Sequence, residues 1–203
     1  MPNVPAHGTI LGDDEKRRCW WCGDDPIYVR YHDQEWGRPV RDDQRLFEKI
    51  CLEGFQSGLS WITILKKRPA FRESFADFDF HEVSRFGESE VQEMLQNAGI
   101  VRHQGKIRSV INNAARAIEM VRDEGSLDAF FWSYQPTRKR AALKSARRIP
   151  TKTAESTAMS KELKRRGWSF VGPTTCYAFM QSMGIVNDHM HRCDWHAEMA
   201  SLG

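Results

Sequence analysis

Val91-Gln-Glu-Met-Leu-Gln-Asn-Ala-Gly-Ile-Val-Arg-His-Gln-Gly-Lys-Ile107 carries the pattern that decides the fold. Before Gly99, the residues Val91, Met94, Leu95 and Ala98 recur at helical spacing. After it, Ile107, Val110, Ile111, Ala114, Ile118 and Val121 trace one stripe at roughly 100° per residue. Ser89-x-x-Gln92 has the form of a capping box, and Gly99 is expected to end that helix as a left-handed cap. The next helix is expected over about 102–121, so only Gly99-Ile-Val separates the two. Such a turn presents backbone amides and a positive helix N-terminus, which can hold phosphates without reading sequence. Arg102, His103 and Lys106 add side-chain donors there, although an ordinary helix–helix turn has the same signature.

Helical period recurs on both sides. Residues 42–55 and 60–67 read as helices, Pro69 suits a further helix start with Phe71 and Phe75 inward, and Asp79-x-x-Glu82 resembles a second capping box. Ser126 caps a short aromatic segment reaching Tyr134. A helix from about Ser156 ends at Gly167, and Gly172-Pro173 opens a last one that stops at Gly184. Tyr28, Tyr31 and Trp36 crowd a span holding Pro26 and Gly37, which reads as compact irregular structure. No run has strand period, and the fold is expected to be all-α.

Glu53 stands out on this framework, because Leu46, Ile50 and Glu53 share one stripe flanked by Phe47. A buried carboxylate must find donors in the protein, rise in pKa, or await a ligand that supplies them. The next residues, Gly54-Phe-Gln-Ser-Gly-Leu-Ser-Trp61, contain two glycines that are expected to reverse the chain and bring Leu59 and Trp61 to the same helix end. A carboxylate beside a large aromatic ring suits a flat, donor-rich, cationic ligand. A Glu that merely ties down the glycine loop is the other reading.

With 203 residues, 40% of them hydrophobic and 11% aromatic, the chain can build one core. Residues 1–18 are expected to be a disordered tail, 19–196 one domain, and 197–203 a C-terminal tail. No apolar run approaches the roughly 18 residues of a membrane span, nor does a signal-peptide core appear, which points to a soluble cytoplasmic protein with reduced cysteines. Within a net charge of +3, residues 135–168 hold 11 Lys or Arg against 2 Glu. That tract, with Arg138-Lys-Arg140 and Arg147-Arg148, is either a solvated face or a footprint for nucleic acid.

His189 and Cys193 are four apart near the C-terminus, a spacing that lets both reach one tetrahedral metal. Cys19, Cys22 and His32 are possible partners, and spacing alone favours Cys19 with Cys22. Four protein ligands would make the metal structural, clamping the two ends of the chain. The His-x-Glu and Pro-Cys-x-x-Cys pattern of zinc deaminases is missing, whereas a DNA-binding module without catalysis would use the same hairpin.

Five segments together resemble the bacterial 3-methyladenine DNA glycosylase I family. They are Tyr31-His-Asp-Gln-Glu-Trp-Gly37, Ile50-Cys-Leu-Glu-Gly-Phe-Gln-Ser-Gly-Leu-Ser-Trp-Ile62, Ala98-Gly-Ile-Val-Arg-His-Gln-Gly-Lys-Ile107, Phe170-Val-Gly-Pro-Thr-Thr-Cys-Tyr177 and Val186-Asn-Asp-His189. The resemblance implies the all-α helix-hairpin-helix DNA glycosylase fold, with Gly99, Arg102 and Lys106 at the DNA-binding hairpin. It implies Glu53 as the carboxylate that recognises the base, Tyr31 and Trp61 as pocket walls, and Tyr28 and Trp21 as further lining. Leu59 is expected to approach the gap left in the base stack. For structural Zn2+ the resemblance selects Cys19, His32, His189 and Cys193 over Cys22, although Cys22, His191 and His196 are extra candidates in this chain. The implied activity is hydrolytic release of free 3-methyladenine from alkylated double-stranded DNA by a monomer, without strand cleavage.

Overall fold

Ten α-helices, three single-turn 3-10 helices and one short ribbon are the regular elements among the described residues, 4–138 and 141–202, of this computed structural model. The ribbon pairs β1 (Thr9–Leu11) antiparallel with β2 (Arg17–Cys19), Thr9 lying opposite Cys19. The helices follow as α1 (Pro26–Gln34), α2 (Asp43–Gln56), α3 (Trp61–Ser74), α4 (Phe80–Val83) and α5 (Glu88–Gln96). They continue as α6 (Gln104–Glu124), α7 (Leu127–Trp132), α8 (Ala154–Arg165), α9 (Pro173–Ser182) and α10 (Trp195–Leu202). Lys139 and Arg140 of the basic tract lie outside the described residues.

Helix α2 runs through the middle, packed against α3, α6, α7 and α9. Its start is fixed by Asp42, whose side chain accepts from the Arg45 amide at 2.9 Å, a cap worth about 1 kcal/mol. From Leu46 to Phe55 every residue is buried, so apolar side chains face neighbours on all sides. Phe47, Phe55, Phe71, Phe75, Phe78, Phe131 and Phe179 are fully buried, each contributing roughly 1.5–3 kcal/mol of transfer free energy. Phe55 and Phe71 sit 4.6 Å apart between ring centroids and join α2 to α3.

Several local expectations change. The segment expected as a disordered tail contains the ribbon, because Arg18 pairs with Asp14 and Asp33, both at 2.7 Å. Three-residue strands are too short to display a period of two. The aromatic span read as irregular is α1, capped by Asp25 and opened by Pro26 at its first position. Pro69 lies inside α3 instead of starting a helix: the helix continues although proline offers no amide to the preceding turn. Helix α5 is capped by Gly87, whose amide donates to Glu90 at 2.7 Å, not by Ser89 with Gln92. Asp79 does cap α4, accepting from the His81 and Glu82 amides, but Glu82 turns to Arg85 instead of reciprocating. The C-terminal residues expected as a tail include α10.

Gly99 is also required for a different reason from the one expected. The chain leaves α5 at Asn97 in extended conformation, and Gly99 is not left-handed. A Cβ there would stand 2.8 Å from the Cβ of Ala70, so close approach to α3 demands glycine.

Replacing Phe71 with Ala should cost about 3–5 kcal/mol in urea unfolding, the range for emptying a fully enclosed aromatic site. A loss below about 1 kcal/mol would contradict this packing.

Candidate active site

Period alone puts Glu53 on the inward face of α2, and the structure leaves the residue only 5% exposed. Its carboxylate has a partner: Lys49, one turn earlier, places Nζ 2.7 Å from Glu53 Oε1. The same ammonium donates to the Tyr31 hydroxyl at 2.9 Å and lies 3.2 Å from the centroid of the Trp61 ring. Burial pushes the Lys49 ammonium down to about 8, against the pull of Glu53. Tyr31 is held well above the usual phenol range, also by burial first and by Glu53 next.

The expected pocket residues do come together. Tyr31 and Trp61 rings are 5.5 Å apart, Trp21 and Tyr28 5.1 Å, and Tyr28 and Tyr31 6.4 Å, giving a continuous aromatic wall. Trp61 arrives through the turn after α2, where Gly58 takes φ +82°. Gly54, expected to bracket that turn, is instead helical, and a Cβ there would press on Phe170 at 3.2 Å. The buried Trp61 indole N–H has no acceptor among the described residues. Lys49 was not anticipated as a site residue, although the spacing that singles out Glu53 puts Lys49 exactly one turn away.

The hairpin lies beside this pocket. Helix α6 starts at Gln104, with the His103 side chain accepting from the Lys106 amide at 3.2 Å. The Gln104 and Gly105 amides precede the first intrahelical bond and face outward with the helix dipole. Arg102 and His103 are exposed at this end. Lys106 is not. It is buried, with its ammonium donating to the carbonyls of Phe55 at 2.8 Å and Ser57 at 2.6 Å. It therefore caps the C-terminus of α2 and fixes the loop that presents Leu59, which is 41% exposed. Phe170, 38% exposed and left-handed at φ 57°, packs edge-on against His103 on the same side.

Behind the aromatic wall, Cys19, His32, His189 and Cys193 bring their donor atoms within 4.8 Å of one another, all buried. Cys193 Sγ is 3.4 Å from His189 Nδ1 and 3.5 Å from His32 Nε2, and Cys19 Sγ is 3.8 Å from His189 Nδ1. Zinc bonds of about 2.3 Å to sulfur and 2.0 Å to nitrogen imply donor separations of roughly 3.3–3.8 Å around a tetrahedron. The donor set fits that ion. Each histidine is held by its other nitrogen, His32 Nδ1 by Asp33 at 2.8 Å and His189 Nε2 by the Trp36 carbonyl at 3.1 Å. Cys22, favoured by spacing, is outside the cluster with its thiol on the Cys19 carbonyl. His191 and His196 are outside it too, and His196 Nδ1 donates to the His189 carbonyl.

Fold and site define a helix-hairpin-helix protein with a buried carboxylate in an aromatic pocket. The chain belongs to the methyladenine glycosylase family, whose model matches residues 21–197. It is 49% identical over 179 residues to DNA-3-methyladenine glycosylase 1 of Escherichia coli (strain K12), covering 87% of this chain and 95% of the relative. A crystal structure of 3-methyladenine DNA glycosylase I superposes with TM-score 0.84 at 47% identity, covering 87% of this chain and 98% of that one. A Tyr-to-Phe variant of such an enzyme, in complex with 3-methyladenine, superposes with TM-score 0.83 at 32% identity over 87% of this chain and 96% of its own.

Lys106→Met should lower stability by about 2 kcal/mol or more, because two carbonyls at the end of α2 lose a charged donor. Chemical denaturation reads the loss, and an unchanged midpoint would refute the capping role.

Proposed function

We propose that this chain hydrolyses the N-glycosidic bond of 3-methyladenine in alkylated double-stranded DNA, releasing the free base and leaving an abasic site. The observation that carries the reading is a carboxylate, Glu53, buried against the rings of Tyr31 and Trp61 beside a helix-hairpin-helix turn. Family membership supports the same reaction.

Methylation at N3 makes the adenine ring cationic and a good leaving group. The C1′–N9 bond breaks with its electron pair passing to the base, a water oxygen bonds to C1′, and the proton of that water passes to solvent. Acid catalysis is largely unnecessary, so binding and electrostatics carry the work. The Glu53 carboxylate accepts from the exocyclic amine and complements the ring's charge, while Tyr31 and Trp61 provide faces that attract a cation. Neutral adenine gains less from either contact. Extruding the base costs a few kcal/mol, least at a damaged pair. Leu59 suits the gap left behind, and the outward amides of Gln104 and Gly105 with Arg102 suit the phosphates.

Hydrolysis without strand cleavage fits the hairpin. Helix α6 has no Asp before Asp123, and Lys106 is committed to two carbonyls and offers no free amine there. The reading includes a monomer acting in the cytoplasm; no described helix is long and apolar enough to cross a membrane. Cys19, His32, His189 and Cys193 would hold one structural Zn2+. Four protein donors complete a tetrahedron, which leaves the ion a clamp between β2, α1 and the segment before α10.

Glu53→Gln should lower release of 3-methyladenine from methylated DNA by about 10²-fold or more while sparing binding to abasic DNA. Equal activity of the two proteins would refute the role of the carboxylate, and strand scission at the product site would refute the hydrolytic one. Metal analysis should find one zinc per chain in the natural protein and in Cys22→Ser, and a marked loss in His32→Ala.

A further inference from the structure

The Lys49 ammonium makes the three contacts that a cationic base would need. It pairs with Glu53 Oε1 at 2.7 Å, donates to the Tyr31 hydroxyl at 2.9 Å, and lies over the Trp61 ring at 3.2 Å. The cavity beside it, lined by Tyr31, Lys49, Leu52, Trp61 and Arg68, holds about 30 Å³, room for about one water and none for a purine. A ring stacked on the face of Trp61 that Lys49 covers, within reach of Glu53, takes the place that Nζ occupies. We propose that Lys49 is a built-in stand-in for the cationic base, and that the pocket accepts a positively charged base only when Lys49 has given up its proton. The inference rests on the glycosylase reading above and adds a determinant of base selection to it.

The charges around Lys49 explain why its proton is the one that yields. Just past the end of α1, Glu35 is engaged by Arg68 of α3 at 2.5 and 2.8 Å. From α2 itself, Glu48 is engaged by Arg72 of α3 at 2.8 and 3.0 Å, while Arg45 is exposed. Tyr31 is held in its neutral form by burial. Glu53 is thus the carboxylate in direct contact with Lys49, and a cationic base would compete for it. Two positive charges cannot share one buried carboxylate without loss, whereas neutral Lys49 can accept from the Tyr31 hydroxyl and leave Glu53 to the base. Burial has already brought Lys49 down to about 8.

The apparent affinity for a cationic base then scales with the neutral fraction of Lys49, about one tenth at pH 7 and one hundredth at pH 6. Release of 3-methyladenine from methylated DNA should be followed as kcat/KM from pH 6 to 9 for the natural protein, Lys49→Met and Lys49→Arg. The natural protein should gain about tenfold per pH unit up to about 8 and then level off. Lys49→Met should stay at the high level, about 10²-fold above the natural protein at pH 6, and Lys49→Arg should stay low throughout. Tryptophan fluorescence titration with 3,9-dimethyladeninium, a fixed cation, should show the same pH dependence of binding to the natural protein. Release by both the natural protein and Lys49→Met with superimposable profiles overturns this inference alone. No release by either at any pH overturns the glycosylase reading and the inference with it. Should Lys49→Met fail to fold, binding of the fixed cation that does not change between pH 6 and 9 overturns the inference.

Discussion

A carboxylate buried in the middle of a core needs a positive charge against it, and much of this molecule is arranged to satisfy that need at Glu53. The cost of leaving it unpaired is several kcal/mol, so a positive partner beside it is strongly favoured. In the free protein Lys49 supplies the charge from one helical turn away. The neighbouring Glu35–Arg68 and Glu48–Arg72 pairs are closed on both sides, with bidentate geometry between α1, α2 and α3. Glu53 differs because its partner is a flexible chain whose own burial weakens its hold on a proton. The same constraint that stabilises the fold therefore leaves one carboxylate open to exchange one cation for another.

The aromatic wall depends in turn on how the chain ends are joined. Trp21 touches Tyr28 on the pocket side and packs 5.3 Å from His32 and 4.9 Å from Trp36 on the cluster side. Tyr31 and His32 are adjacent on α1, so whatever fixes the imidazole also fixes the phenol. Arg18 grips Asp33 through three bonds of 2.7–3.0 Å, and Asp33 holds His32 Nδ1. The ribbon, α1 and the segment before α10 meet at Cys19, His32, His189 and Cys193, which places the N- and C-terminal ends directly behind the pocket. Disorder in that cluster would loosen Trp21 and Tyr31 together.

Much of this was legible in the sequence where burial imposes a period. The stripe through Leu46, Ile50 and Glu53 and the stripe from Ile107 to Val121 both mark helices, although α2 is buried on all sides and Ile111, Ile118 and Val121 of α6 are only half-buried. The misreadings share a cause, which is contact between residues distant in sequence. Gly99 looked like a cap but yields to Ala70 on another helix, and Gly54 looked like a turn but yields to Phe170. Cys22 stands outside the buried Cys/His cluster and His32 inside it, because the way β2 meets α1, not spacing, decides which donors come together. Lys106 resembled a phosphate donor because helix position alone cannot show that the end of α2 lies within its reach.

That last contact couples the hairpin to the pocket. The C-terminus of α2 carries Glu53, then Gly54 against Phe170, then the carbonyls of Phe55 and Ser57, then Leu59. Lys106 ties those carbonyls to the first turn of α6, whose amides face outward two residues before it. A Cβ at Gly105 would meet the Phe170 ring at 3.8 Å, so the same aromatic residue touches both elements. On the proposed reading, a phosphate at the start of α6 and a base at Glu53 would be registered through one rigid junction instead of a flexible linker. Positional error between them is limited by buried hydrogen bonds of 2.6 and 2.8 Å. An extruded nucleotide would then have few ways to satisfy both ends, and that geometric demand would add to the proposed charge demand in deciding which bases are accepted.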